Sequence, residues 1–243
     1  MDPDLDALRD LAASLARGAG ELARRAAGTG QGLEPDERGL PEVVTDVERR
    51  IVHQLAVRHR DHAVVTRHGG RHGPDDARVT WVVDGLDGLA NYGIGLELHG
   101  VTIGVVADEG ALVGVVHDAV SGRTSTAARG RPAEREGTTL RVGGGRPLAD
   151  ATVAWTDDGH DPDGAHVLDD TYRRVLRTGA PSTDWALVAS GAVDAVVARP
   201  DLVPTEAGLL LVRCAGGVVR DEGPYVVAGA AAAVEAVAAV LSR

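Results

Sequence analysis

Leu5, Leu8, Leu11, Leu15 and Leu22, with alanines between them, recur at helical spacing and predict a long amphipathic helix over residues 4–27. The stretch Gly28 to Pro41 is rich in Gly, Asp, Glu and Pro and reads as loop. A second helix is expected from Thr45 to Arg60, burying Val47, Ile51, Val52 and Leu55, before a basic, histidine-rich run from Arg58 to His72. The apolar period then shortens. Strand-like runs at Val79–Val83, Val101–Val106, Leu112–His117 and Arg123–Ala127 are separated by the turn formers Asp108-Glu109-Gly110 and Ser121-Gly122, which predicts an antiparallel meander. Arg129 to Gly145 carries charge, glycine and Pro132 with little periodicity, so a boundary is placed there, dividing the chain into halves 1–145 and 146–243.

The second half alternates element types. Val153–Trp155 reads as strand, Asp157–Asp169 as acidic loop, Thr183–Ser190 as helix and Ala192–Ala198 as strand. Thr205–Ala215 reads as helix, Gly217–Arg220 and Tyr225–Ala228 as strands, and the alanine-rich Ala230–Leu241 as a closing helix. Helices alternating with short apolar strands predict an α/β layer. With no phenylalanine and 2% aromatic residues, the core must be assembled from many small Val, Leu and Ala contacts.

The formal net charge of -11 argues against nucleic acid and anionic membranes as partners. A single cysteine, Cys214, excludes an intrachain disulfide and a thiolate metal cluster, and its apolar surroundings mark it as a small core residue. The acidic start, with neither a basic leader nor a run of transmembrane length, gives the expectation of a soluble cytoplasmic protein.

Chemistry concentrates in Trp81-Val-Val-Asp84-Gly-Leu-Asp87-Gly-Leu-Ala-Asn91-Tyr92, where an apolar run delivers Asp84 and Asp87 around a Gly-rich turn. Two carboxylates this close can hold one hard divalent cation together with a backbone carbonyl. The plainer reading gives them turn and capping roles at a strand end. Gly143-Gly-Gly145 lacks the lysine and hydroxyl that a phosphate loop requires, and Ser121, Ser182 and Ser190 have no nucleophile-elbow context.

Trp81 to Tyr92 resembles the core motif of the inositol monophosphatase family, Trp-x-x-Asp-Pro-Ile/Leu-Asp-Gly-Thr-x-Asn-Phe/Tyr. Val101–Ala107 and Leu112–Asp118 resemble the strands that follow it, Gly179–Asp194 a later helix and strand, and Ala207–Gly217 the helix before the last strands. The resemblance implies an alternating α/β layered sandwich, N-terminal helices with an antiparallel sheet and then an α/β unit, with a metal-dependent cleft between the sheets. It also implies a homodimer. Asp84 and Asp87 match two Mg²⁺ ligands of the family, and Leu86 matches the position that lends its backbone oxygen.

Other positions depart from the family pattern. Gly85 replaces a proline, and Leu89 replaces the threonine whose hydroxyl helps place the attacking water. Arg67 stands about where a metal-ligating Glu belongs, beside His68 and His72, which suit either a softer metal or plain solvation. Pro204 replaces the distal aspartate, and Glu206, two positions on, either compensates or serves as a helix N-terminal charge. Val197 falls where sugar-alcohol phosphatases carry an acid that contacts substrate. The early acidic element is matched by Asp46 or Glu48, which equally read as helix-start acids after Thr45 in a capping box. Asn91, Tyr92, His99, His117, Asp184 and Trp185 are the remaining groups expected near the cleft, with His99 and Asp184 as acid–base candidates against a surface reading for His99.

This inventory leads to the expectation of a degenerate member that has lost ordinary Mg²⁺-dependent phosphatase activity. Its cleft would be repurposed for altered small-molecule chemistry, as in specialised metabolism, or for ligand or partner binding, with no cofactor or a single weakly bound Mg²⁺. The alternative is a Mg²⁺-dependent phosphomonoesterase acting on a small sugar, inositol or nucleotide phosphate.

Overall fold

The computed structural model describes residues 3–29, 34, 39–144, 146, 150–156, 168, 172 and 174–242. The expected loops at 28–41 and 157–169, and the end of the 143–145 glycine run, lie largely outside them.

Helix α1 (Leu5–Thr29) is opened by Asp4, whose Oδ1 accepts the otherwise orphaned amides of Asp6 and Ala7 at 3.1 and 3.2 Å. Its buried stripe is Leu8, Ala12, Leu15, Ala16, Ala19 and Ala23. Helix α2 (Glu42–Arg58) starts three residues earlier than the sequence pattern indicates. Pro41 at its N-cap (φ -53°) sets the entry, so Thr45 and Glu48 form no capping box, and Glu48 is carried into the interior.

Strands β1 (Ala63–Thr66), β2 (Gly70–His72), β3 (Val79–Asp87), β4 (Gly100–Ala107), β5 (Gly110–Asp118), β6 (Thr124–Ala128), β7 (Glu134–Arg135) and β8 (Thr138–Thr139) form one sheet, ordered β2-β1-β3-β4-β5-β6-β7-β8. The β3–β6 meander is antiparallel, as the turn signals indicate. Strands β1 and β2 are additions within the histidine-rich run, and β1 pairs with β3 in parallel.

After the short helix α3 (Leu89–Gly93), helices α4 (Pro181–Ala189), α5 (Glu206–Cys214) and α6 (Ala231–Leu241) accompany a second sheet. It comprises β9 (Thr152–Thr156), β10 (Arg174–Leu176), β11 (Ala195–Ala198), β12 (Val218–Glu222) and β13 (Tyr225–Gly229), ordered β10-β9-β11-β13-β12.

Period-two alternation sorts the side chains into layers. Val101, Ile103 and Val105 pack with α1 and α2, while Val116 and Ala127, on the opposite face, pack with Trp185 and Leu211 of α4 and α5. The second sheet gives Ala154, Val196 and Val226 to that same middle layer, and Val153, Trp155, Val197 and Val227 to α6. The protein is therefore an α/β sandwich of helices, sheet, helices, sheet and helix. Each fully buried Val or Leu contributes about 1.5–3 kcal/mol, which is how a core without phenylalanine suffices. Glycines set the spacing of the middle layer: Gly104 and Gly114 admit Glu206 and Ala207 of α5, and the Trp185 ring covers Gly208.

Candidate active site

The register between β3 and β4 places the two acids. Asp84 lies opposite Thr102 and Asp87 opposite Gly100, so Gly85 and Leu86 together face the single residue Val101. Residues three apart in a regular strand point to opposite faces; one extra residue in a bulge returns them to the same face. Asp84 and Asp87 thus share the face that looks toward α4 and α5, while Leu86 enters the core under α1 and α2. Gly85 is required here, because a Cβ would meet Val47 Cγ1 at 2.8 Å and Glu48 Cγ at 3.1 Å.

Both carboxylates are almost fully buried. Asp84 Oδ2 accepts from Arg67 Nη1 at 2.8 Å, while its Oδ1 has no hydrogen-bond partner among the described residues. Burial pushes the Asp84 pKa up and the Arg67 charge opposes the push. Asp87 accepts from the amide and hydroxyl of Ser182, the second residue of α4. Burial first, and then the neighbouring Asp84 charge, raise the Asp87 pKa to about 7 against those two donors.

Glu48 stands near enough for its charge to oppose ionisation of Asp84. Its Oε1 accepts from the His68 amide and contacts His68 Nδ1, both at 3.2 Å, while Oε2 has no partner among the described residues. Asp46 instead points outward to Arg49. The helix start at Glu42 therefore brings Glu48, rather than Asp46, toward the cleft.

A cavity of about 900 Å³ opens over this corner. Arg67, His68, Leu86, Asp87, Leu89, Pro204 and Glu206 line it, and its far wall is the segment from Pro200 to Pro204. Arg67 Nη2 reaches that wall by donating to the Leu202 carbonyl at 3.1 Å. Glu206, the first residue of α5, has a buried Oε2 without a partner among the described residues.

The remaining sequence-selected residues lie off the cavity lining. Asn91 Nδ2 donates to the carbonyls of Leu98 and Thr178, which ties the loop after β3 to the chain before α4. Tyr92 is buried, with its hydroxyl on the Ala23 carbonyl and its ring edge-on to His99. His99 is buried as well, which excludes the surface reading. Asp184 accepts from Thr178 Oγ1 at 2.9 Å inside the protein, and Trp185 is fully enclosed against Gly208. Val197 sits on the face of the second sheet that meets α6, directed away from the cavity. Sequence reasoning missed two contributors. Ser182 was passed over for want of a nucleophile context, although Pro181 at the first helical position marks a helix start there. Leu202 acts through its main chain, which leaves no side-chain signal.

The donors suit a hard cation. The corner offers two carboxylates, one with an unpartnered buried oxygen, and Leu86 can add only its carbonyl oxygen. Magnesium commonly takes one or two carboxylates and completes its shell with water and substrate phosphate. No group of three His, Cys, Asp or Glu side chains able to hold a metal occurs among the described residues.

The model of the inositol monophosphatase family matches residues 4–238. The SuhB Nus factor of Escherichia coli K12 is 32% identical over 229 residues, covering 87% of this chain and 84% of that protein. SuhB of Salmonella typhimurium LT2 is likewise 32% identical, over 228 residues with the same coverage. Among solved structures, Mycobacterium tuberculosis SuhB superposes with TM-score 0.83 and 26% identity over 100% of this chain and 98% of its own. The inositol monophosphatase of Anabaena gives TM-score 0.85 at 21% identity over 98% and 96%, a likeness of fold. These matches overturn the expectation of a degenerate pseudophosphatase repurposed as a non-phosphatase enzyme or binding protein. A chain aligned with the family from end to end, and 32% identical to SuhB proteins, supports the phosphomonoesterase alternative instead. The expectation went wrong by counting replaced side chains as lost function. The fold buries Glu48 near Asp84 and pairs Arg67 with Asp84, neither of which the chain alone discloses.

Proposed function

Because the chain belongs to the inositol monophosphatase family, we propose that it is a Mg²⁺-dependent phosphomonoesterase acting on a small sugar, inositol or nucleotide phosphate. The observation that carries this reading is the β3 bulge, which turns Asp84 and Asp87 to one face, with Asp87 on the cavity lining and Asp84 buried beside it. Asp84, Asp87 and the Leu86 carbonyl would hold the ion. When bound, a magnesium ion polarises phosphoryl oxygens and makes its coordinated water a better nucleophile.

The protein's own groups do the rest. Ser182 fixes the Asp87 carboxylate through two hydrogen bonds, so the acid is oriented before any ligand arrives. Leu89, Leu202, Val203 and Pro204 give part of the cavity an apolar lining. Glu206 Oε2, buried at the cavity and unpartnered among the described residues, would accept the proton released by attacking water. The ligand is a small molecule, and we further infer a cytoplasmic homodimer without nucleic-acid or membrane partners; no described helix is long and apolar enough to cross a membrane.

The test is phosphate release from inositol monophosphate, a hexose phosphate and a nucleoside monophosphate, with Mg²⁺ and with chelator. Mg²⁺-dependent release from at least one ester is expected. Release no faster than a protein-free control from every ester would refute the reading.

A further inference from the structure

Arg67 is the residue in the cavity whose chemistry the proposed hydrolysis leaves unexplained. Its guanidinium lines the cavity, holds Asp84 Oδ2 at 2.8 Å and donates across to the Leu202 carbonyl at 3.1 Å. Among the described residues lining the cavity, it is the one Arg or Lys, facing the acids Asp87, Asp201 and Glu206. A phosphate dianion entering such a cavity meets like charge on several sides. One divalent ion offsets part of that repulsion, and a guanidinium, whose planar fork matches phosphate oxygens, is suited to offset the remainder.

The Arg67–Asp84 contact is also incomplete as a purely structural pair. A buried pair that serves stability needs its remaining lone pairs satisfied. Here Asp84 Oδ1 is buried with no partner among the described residues. The corner is thus arranged to accept a second cationic ligand on the same carboxylate.

We propose that Arg67 is an exchangeable cation and the phosphate-binding residue of this site. It neutralises Asp84 while the site is empty of substrate, and turns to the phosphoryl oxygens when a divalent ion takes Asp84. This rests on the phosphomonoesterase reading for its substrate class, but it can be read by binding alone. Arg67 then supplies, as a fixed part of the chain, positive charge beside the phosphoryl group. The Leu202 carbonyl keeps the guanidinium at the cavity wall while it changes partners.

The experiment is calorimetric titration of inorganic phosphate, in the presence of Mg²⁺, into the wild-type protein, Arg67→Gln and Arg67→Lys, with Mg²⁺ alone titrated into each. Loss of hydrogen bonds to a charged phosphate should weaken phosphate binding by about tenfold or more in Arg67→Gln. Lysine, which keeps the charge without the fork, should restore part of it. Mg²⁺ alone should bind Arg67→Gln more tightly than wild type, because Asp84 no longer has a competing cation. Phosphate affinity within twofold of wild type in Arg67→Gln would overturn the assignment, and Mg²⁺ binding no tighter would overturn the exchange. If Arg67→Gln does not fold, Arg67→Lys decides, and unchanged phosphate affinity there overturns the proposal. Phosphate binding that depends on Arg67, with no ester turnover by the wild type, would sink the hydrolase reading and leave this one standing. Turnover with Arg67-independent phosphate binding would do the reverse.

Discussion

Ser182 grips Asp87 with both of its donors, the amide at 2.6 Å on Oδ2 and the hydroxyl at 2.8 Å on Oδ1. The pair joins the end of β3 to the first turn of α4, so an acid of the first sheet is fixed by a helix from the later part of the chain. Each oxygen retains a further lone pair, which leaves the carboxylate able to bind a cation while held.

Replacing Ser182 by alanine removes the hydroxyl donor and keeps the amide. The expected loss is about 1.5–3 kcal/mol, the range for a hydrogen bond to a charged group. For a chain of this size the melting temperature should fall by about 2–4 °C per kcal/mol. Differential scanning calorimetry checks it, and an unchanged transition would show that the hydroxyl bond contributes nothing.

Glu206→Gln keeps the shape of the side chain and removes its capacity to take a proton. The turnover number should drop by about 100-fold, the lower end of general-base contributions, with KM and melting temperature little changed. Steady-state kinetics on the best ester decide. A turnover number within threefold of wild type would remove Glu206 from the proton-transfer role.

Gly208→Ala puts a methyl group into the Trp185 ring, and neither α4 nor α5 can retreat without opening the middle layer. Overpacking of this kind costs about 1–3 kcal/mol and often more. Urea unfolding should show a lower midpoint with an unchanged slope. A midpoint equal to wild type would mean that the two helices pack less closely than described.

His99 and His117 are buried, with pKa values lowered by that burial, His117 lying against Gly20 of α1. Both resist protonation more in the folded state than in the unfolded chain, which protonates them near the ordinary value of about 6.5. The unfolded state therefore binds more protons at mildly acid pH. The stability they contribute is present above about pH 6.5 and lost as pH falls toward their folded values. Unfolding free energy measured from pH 7.5 to 5 should decline, and His117→Gln should flatten part of the decline. An identical slope in that variant would contradict the assignment.

The sequence disclosed the layered fold because its apolar periods are clear: Leu5 to Leu22 at helical spacing, and Val101 to Val106 in a strand. The Trp81–Tyr92 motif likewise pointed to the corner where Asp84 and Asp87 come together. What it concealed depends on register and packing. Asp84 and Asp87 reach one face only through a bulge, and a bulge is defined by the partner strand. Strand β1 was hidden because its four residues sit beside a polar, histidine-rich run. Val197 reads as a lost substrate contact along the chain, yet the alternation of β11 turns it toward α6. Glu48 became an interior acid because Pro41 starts α2 early. Arg67 looked like a destroyed ligand until its bonds to Asp84 and the Leu202 carbonyl showed it as part of the cavity.

The most direct test of a magnesium phosphomonoesterase centred on Asp84 and Asp87 is the rate of phosphate release as a function of Mg²⁺ concentration, measured side by side for wild type and Asp87→Asn. The wild type should show a saturable rise with Mg²⁺. Asp87→Asn should lose at least about 100-fold in rate, in the range that removal of one well-placed electrostatic contact produces. Release that persists without Mg²⁺, or that survives Asp87→Asn undiminished, would place the chemistry elsewhere and contradict the account.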